Sequence, residues 1–188
     1  MDEAKDALEE AKYFYRRMGE TSKVPEEFRH NLNAFISRAR AVTWVLKKQF
    51  AGNKEFGDWY ALEEKIMRTD ELMSFFVKAR NISLKEKPIR PQSSTYIRHI
   101  EISTPKGRGF AITGNGEPVW FEKNGEGKEK RIHAEEFDGE IVKQYYFANP
   151  IPPKLLGNLQ VLDLCGLYLK ALKNLVEEAL KNFAQANR

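Results

Sequence analysis

Cationic and amide side chains near the end of a predicted helix have the chemistry of a phosphate-binding site. Arg80 and Asn81 follow an apolar helical pattern, with Lys78 before them and Lys85 after them. A guanidinium can hold a phosphate through two parallel hydrogen bonds, and an ammonium attracts it as a point charge. We therefore expect an anion site that includes Lys78 and Arg80. The alternative is an ordinary helix C-terminus, where arginine suits the dipole and asparagine tolerates the terminating conformation.

A second basic segment precedes this motif on the longest predicted helix. Residues 23–54 carry seven basic and two acidic side chains, and residues 78–90 carry five basic and one acidic. Two such segments lying together would form a surface for a polyanion. Arg38 and Arg40 are the ligand-binding candidates of the first segment. The alternative is that both segments are solvated helix faces.

The sequence predicts neither a metal site nor a cofactor. One cysteine excludes an internal disulfide and any zinc site that needs several thiolates. The three histidines lie far apart, without the short spacings of metal-binding pairs. Glycines in the middle of the chain lack the context of a phosphate loop and predict hairpin turns. The residues concerned are Cys165, His30, His99, His133, and the glycines within 107–109 and 114–116.

The secondary structure that would position these residues is predicted from the spacing of apolar residues, which changes along the chain from helical to strand spacing and back to helical. Apolar residues recur at helical spacing through 1–87, and short β-prone runs between glycine turns fill 95–148. A last helical pattern covers 155–188, and its apolar side must pack against the earlier helices. We predict a single structural domain that is mainly α, or α+β overall. Its helical bundle in 1–87 is completed by the C-terminal helix, and an antiparallel β-sheet is inserted in 95–148, between the penultimate and last long helices.

The chain is expected to be cytoplasmic and to have no membrane partner. No apolar stretch approaches the ~18 residues that indicate a membrane-spanning helix. The first residues, Met1-Asp2-Glu3-Ala4-Lys5-Asp6, are acidic and amphipathic, which is the opposite of a secretory leader.

The chain resembles the HEPN superfamily of small helical-bundle proteins. Members place an arginine, often followed by asparagine, a few residues before a histidine near the end of a helix. Arg80 and Asn81 match this motif, and Lys85 stands where the histidine would fall. Similar stretches are 35–43 on the long helix and the Leu-Cys-Gly-x-Tyr-Leu run at 164–169. The resemblance covers the helices and implies an HEPN-like helical bundle.

The resemblance also implies a metal-independent endoribonuclease site, assembled across a homodimer from Arg80, Asn81 and Lys85. Residues five apart lie about 140° apart around a helix, which favours assembly between two chains. A lysine ammonium with an ordinary pKa of about 10.4 is a poor proton acceptor at neutral pH. We therefore expect ribonuclease activity to be lost or weak while anion binding persists. The sequence alone does not decide whether the protein is an enzyme.

Three functional hypotheses follow. The first is an HEPN-like homodimer that binds RNA, or another phosphate-bearing ligand such as a nucleotide, through a basic seam. The second is a protein-interaction module of the toxin–antitoxin or defence type, with the β insertion as the surface that recognises a protein partner. The third is a purely structural domain. Charge reversal at Arg38, Arg40 and Arg80 separates the first hypothesis from the second, because only RNA binding would depend on salt.

Overall fold

The helical and strand patterns of the sequence are realised in the computed structural model, which describes residues 2–100, 108–112, 118–132 and 139–184. The helices within these ranges are α1 (Glu3–Glu20), α2 (Pro25–Gln49), α3 (Lys54–Thr69), α4 (Glu71–Lys85) and α5 (Val161–Phe183). The strands are β1 (Gln92–Ile100), β2 (Arg108–Ile112), β3 (Pro118–Lys123), β4 (Glu129–Ile132) and β5 (Gly139–Tyr146). The prediction of a mainly helical chain with a small antiparallel sheet is confirmed.

The starts of the first four helices follow from their capping residues. Pro25 opens α2 in the first turn, where its missing N–H costs nothing. The side chains of Asp2, Asn53 and Asp70 each accept a hydrogen bond from a backbone N–H three residues further on. Each such cap satisfies a donor that would otherwise have no partner within the helix, and contributes about 1 kcal/mol.

The last helix begins later than the sequence predicts. The apolar pattern suggests a start at Leu155, whereas residues 154–159 form turns and a bend, and α5 starts at Val161. The Gln160 N–H donates to a carboxylate oxygen of Asp163 at 3.3 Å, which fixes the first turn there. Residues 185–188 of the predicted segment lie outside the described residues.

One hydrophobic core joins the five helices. The buried stripe of α2 faces α1, α4 and α5, and each fully buried leucine or phenylalanine contributes about 1.5–3 kcal/mol. An aromatic stack of Phe76 on Tyr168, with 4.2 Å between ring centroids, joins α4 to α5. The buried residues of α2 are Phe28, Leu32, Phe35, Ile36, Ala39, Val42, Thr43 and Leu46.

The strands form two small sheets. The strand β3 pairs antiparallel with β2 on one side and β4 on the other, and β1 pairs with β5. Gly109 lies opposite Phe121, and a Cβ at position 109 would overlap the Phe121 ring, so a larger residue there would force the ring to move. Within the predicted β segment 95–148, residues 101–107, 113–117 and 133–138 lie outside the described residues.

The chain divides into two compact units. One unit comprises Met1–Gln92 with Tyr145–Arg188, and the other comprises Ser93–Gln144. Within the first unit, Tyr145 stacks on Phe28 at 3.8 Å between ring centroids and donates its hydroxyl hydrogen to the Ser22 carbonyl at 2.8 Å. The chain that returns from the strands is thereby anchored in the helical core.

Candidate nucleic-acid interface on helices α2 and α4

An exposed tryptophan contacts two arginines that come from different helices. Trp44 of α2 is 60% exposed. The Arg40 Cζ lies 5.9 Å from the centroid of the Trp44 ring, and the Arg80 Cζ of α4 lies 5.5 Å from it. Both distances are within the range of cation–π attraction. The geometry places two guanidinium groups and one aromatic face on the same surface.

The position of Arg40 and Trp44 follows from the periodicity of α2. The two residues are four apart, so they lie on neighbouring turns of the same helix side. Thr43 and Leu46 point into the core and are buried. Arg40 donates through Nη1 to the Thr43 hydroxyl oxygen, and that hydroxyl donates to the Arg40 carbonyl at 3.2 Å. The Arg40 head is thereby held beside the mouth of a cavity.

Arg80 and Asn81 lie inside α4, more than one turn before its end at Lys85. The helix-terminus interpretation therefore applies to Lys85, which lies in the last turn, and not to this pair. Arg80 donates through Nη1 to the Asn81 side-chain carbonyl at 3.3 Å. The neighbouring Ala79 is fully buried against the core, which directs Arg80 towards the edge of the helix that faces α2.

Asn33 clamps the end of α4 onto α2. Its side-chain oxygen accepts hydrogen bonds from the Ser83 hydroxyl and from the Ile89 backbone N–H, both at 2.8 Å. Its amide nitrogen donates to the Ile89 carbonyl at 3.0 Å and to the Arg29 carbonyl at 2.8 Å. One asparagine therefore fixes the spacing between the two helices that carry Arg40 and Arg80.

The two arginine charges at Trp44 are not neutralised by neighbouring carboxylates. Among the described residues, neither Arg40 nor Arg80 takes part in an ion pair. Arg38 differs, since its guanidinium lies 3.2 Å from a carboxylate oxygen of Glu10 on α1. A pair of guanidinium groups that has no carboxylate partner attracts external anions.

The structure brings together only some of the residues that the sequence singles out. Arg40 and Arg80 share the Trp44 ring, and Asn81 contacts Arg80. Arg38 lies against α1. Lys78 and Lys85 are exposed and seven residues apart, so they share one side of α4. That side is turned about 140–200° from Arg80 around the helix axis.

Of the three histidines, His30 has a described side chain, and no described contact joins it to Arg40, Trp44 or Arg80. His30 is exposed near the start of α2, where its Nε2 lies 3.9 Å from a carboxylate oxygen of Glu26. His133 lies outside the described residues, as does the side chain of His99. Within the part of the chain that the structure describes, no group of three or more potential ligands could hold a metal ion. No helix there is long and apolar enough to cross a membrane.

A cavity of about 290 Å³ opens next to Arg40, between α2, α3 and α4, with Tyr168 of α5 in its wall. Tyr60 also lines it and donates its hydroxyl hydrogen to the Thr43 carbonyl at 3.2 Å. Burial raises the pKa of the Tyr60 phenol, although the nearby Arg40 charge lowers it in part. The cavity therefore joins an apolar interior to the cationic surface.

Sequence reasoning missed Trp44 and Tyr168. A signal for Trp44 was present, because it follows Arg40 by four residues and falls outside the buried stripe of α2. The role of Tyr168 had no such signal, since a tyrosine in an apolar helical stripe is predicted to be a buried core residue. Its place in the cavity wall depends on tertiary packing.

Comparison with known proteins places part of the chain in a family. The family described as Bacteriophage lambda protein ea47 matches residues 2–102, which is more than half of the 188-residue chain. The matched segment includes α1 to α4, and with them Arg40, Trp44 and Arg80. No curated protein and no solved structure matches the chain.

Proposed function

The chain belongs to the bacteriophage lambda protein ea47 family, and we propose that it binds RNA through the surface formed by Arg40, Trp44 and Arg80. The observation that carries this proposal is the exposed Trp44 ring with two guanidinium groups against it. Aromatic side chains flanked by arginines are the usual means by which proteins bind single-stranded nucleic acid. The indole would stack on a base while the guanidinium groups hold adjacent phosphates.

The charge pattern favours a polyanion over a single small anion as the ligand of this surface. Arg40 and Arg80 are supported on α2 by the exposed Lys47, which lies seven residues after Arg40 and therefore on the same side of that helix. A phosphate backbone can contact several such groups at once, and each contact releases a counterion. RNA binding through this surface would therefore weaken steeply as the salt concentration rises.

The helix order supports an HEPN-like bundle as the setting of this surface. Arg80 and Asn81 lie on α4, which packs on the longest helix, and α5 returns after the strands to complete the core. Lys85 occupies the motif position of the histidine and is exposed at the end of α4. We therefore assign the protein an RNA-binding role in which ribonuclease activity is lost or weak.

The homodimer belongs to the same proposal. Val77 and Leu84 are exposed apolar residues that lie on the Arg80 side of α4. Apolar side chains grouped on a surface mark a protein interface. A twofold axis near Arg80 would bury them and bring the arginines of both chains to one basic seam.

The proposal is tested by measuring how tightly a fluorescently labelled, mixed-sequence single-stranded RNA binds. The wild type should bind with an affinity that falls as salt rises, and Arg40→Ala combined with Arg80→Ala should weaken binding by at least about tenfold. Arg38→Ala is the matched control, since Arg38 is already paired with Glu10. An equal loss of RNA affinity in the double variant and in Arg38→Ala would contradict the proposal and favour the protein-interaction hypothesis. The same holds if the wild type shows no salt-dependent RNA binding.

A further inference from the structure

The cavity beside Arg40 has the composition of a small-ligand site. Met67, Met73 and Val77 give it apolar walls, while Arg40, Thr43 and Arg68 supply polar groups. Binding sites for small molecules combine mostly apolar walls with a few placed polar groups. The volume of about 290 Å³ lies just below the ~300–1,000 Å³ of sites for drug-sized molecules. It suits a single ring system.

Tyr168 in the cavity wall has a buried hydroxyl without a partner. The residue is 1% exposed, and its ring stacks on Phe76. Among the described residues, the Tyr168 hydroxyl forms no hydrogen bond. Buried hydroxyl groups are nearly always paired, since an unpaired one costs folding free energy. An unpaired phenol in a cavity wall therefore points to a hydrogen-bond partner that a ligand supplies.

The state of this phenol defines the ligand atom that it can bind. Burial raises the pKa of Tyr168 well above its ordinary value, and only the nearby Arg40 charge opposes that effect. The phenol is therefore neutral at physiological pH and can donate its hydrogen. The ligand atom that reaches it is best an acceptor, such as a ring carbonyl oxygen or a ring nitrogen.

The mouth of the cavity favours an anionic group outside the apolar part. Glu64 and Arg68 both line the cavity and form an ion pair at 3.1 Å, with the Arg68 side chain 75% exposed. Arg40 is therefore the lining charge that has no ion-pair partner among the described residues. A ligand with a planar body and an attached phosphate would place the body inside and the phosphate at Arg40. The thioethers of Met67 and Met73 contact flat aromatic rings favourably.

We propose that this cavity holds the base of a nucleoside phosphate, with the Tyr168 hydroxyl donating to the base and Arg40 binding the phosphate. The inference rests on the proposed RNA-binding function and adds a pocket that holds one nucleotide of the bound strand. An aliphatic acid fits less well, because its chain has no acceptor for the buried phenol.

Calorimetric titration of the full chain with 5′-monophosphates of guanosine, uridine and adenosine tests this pocket, with inorganic phosphate and hexanoate as reference ligands. At least one monophosphate should bind more tightly than either reference. Tyr168→Phe should weaken its binding roughly tenfold and leave the binding of inorganic phosphate unchanged. Tyr168→Phe keeps the ring stack on Phe76, so it should unfold at the wild-type temperature or above. Ser74→Trp, at an exposed position of the cavity wall, should block the base in a second way.

The outcomes separate this pocket from the RNA-binding proposal. Binding of RNA without binding of any monophosphate would overturn the pocket and leave the RNA surface in place. Binding of a monophosphate that depends on Tyr168, without binding of RNA, would support the pocket and remove the RNA proposal. Hexanoate binding as tightly as the monophosphates, or unchanged monophosphate binding by Tyr168→Phe, would overturn the assignment of a nucleobase.

Discussion

The guanidinium of Arg80 on α4 lies 5.5 Å from the ring centroid of Trp44 on α2. This contact joins the two basic segments of the sequence, because Arg40 meets the same ring at 5.9 Å. Each guanidinium lies within the range of cation–π attraction to the indole. An anion bound at this surface would gain a charge-assisted hydrogen bond from each arginine that it reaches.

Replacing Trp44 should weaken RNA binding without unfolding the protein, because its side chain is 60% exposed. Trp44→Ala removes the stacking face, which is worth about 1–3 kcal/mol per base, and should weaken the affinity about tenfold or more. Trp44→Phe keeps a smaller aromatic face and should reduce the RNA affinity less than Trp44→Ala does. Fluorescence anisotropy with the labelled RNA measures both. Tyr13→Ala, at an exposed aromatic residue of α1, is the control and should bind as the wild type does.

Removing the Asn33 side chain should destabilise the helical unit. Asn33→Ala removes the side-chain oxygen that accepts hydrogen bonds from the Ile89 N–H and from the Ser83 hydroxyl, each at 2.8 Å. A partly buried polar group that loses its partner costs about 1–3 kcal/mol. Urea unfolding should show that decrease in the free energy of unfolding. Asn174→Ala, on an exposed position of α5, is the control, and an equal decrease there would contradict the role given to Asn33.

Stability should fall as pH rises above about 8.5. Burial raises the pKa of both the Cys165 thiol and the Tyr168 phenol in the folded chain. In the unfolded chain these groups lose their protons near pH 8.5 and 10, while the folded chain keeps them. The unfolded state then binds fewer protons, so each group lowers stability by up to about 1.4 kcal/mol per pH unit above those values.

Urea unfolding between pH 8 and 11 measures this effect. Tyr168→Phe should reduce the loss of stability above pH 10 relative to the wild type. Burial also raises the pKa values of Tyr15, Tyr60 and Tyr145, so part of the slope should remain. Tyr13→Phe, at an exposed position, serves as the control. A flat profile for the wild type would show that these phenols and the thiol are not shielded from water.

The sequence predicts the elements better than it predicts the site. The apolar spacing and Pro25 predict α2 correctly, because the apolar residues from Phe28 to Leu46 fall on one side of a helix, where they can all be buried. The start of α5 was misplaced because a capping interaction at Gln160 outweighs an apolar pattern that begins at Leu155. The Trp44–Arg80 contact was not predictable, since it depends on how α4 packs on α2.

Dimerisation should depend on the apolar residues beside Arg80. Leu84 is 56% exposed on the Arg80 side of α4, so Leu84→Glu should disrupt a twofold interface there. Light scattering at micromolar concentration should give twice the 21.8 kDa chain mass for the wild type and the single mass for the variant. Ile151→Glu, at an 81% exposed residue away from α4, is the control. A wild-type mass of one chain would contradict the homodimer and the basic seam between two copies.

The wild-type protein should cleave RNA weakly or not at all. In the proposed HEPN-like motif Lys85 would take the position of the histidine, and it lies in the last turn of α4, exposed and turned about 140° from Arg80. General base catalysis needs a group that can accept a proton from a ribose hydroxyl near neutral pH. The described histidine side chain, His30, lies beside Glu26 near the start of α2, whereas the contacts of Arg80 within the described residues are with Asn81 and Trp44.

Incubating the purified protein with mixed-sequence RNA and a chelator of divalent ions checks this expectation. The wild type and Arg80→Ala should both leave the RNA nearly intact, although Arg80→Ala should bind it less tightly. Lys85→His should restore the motif and produce cleavage in a dimer, and adding Arg80→Ala should abolish it again. Efficient metal-independent cleavage by the wild type that disappears in Arg80→Ala would overturn the expectation, because Lys85 or an undescribed side chain would then be acting as the base.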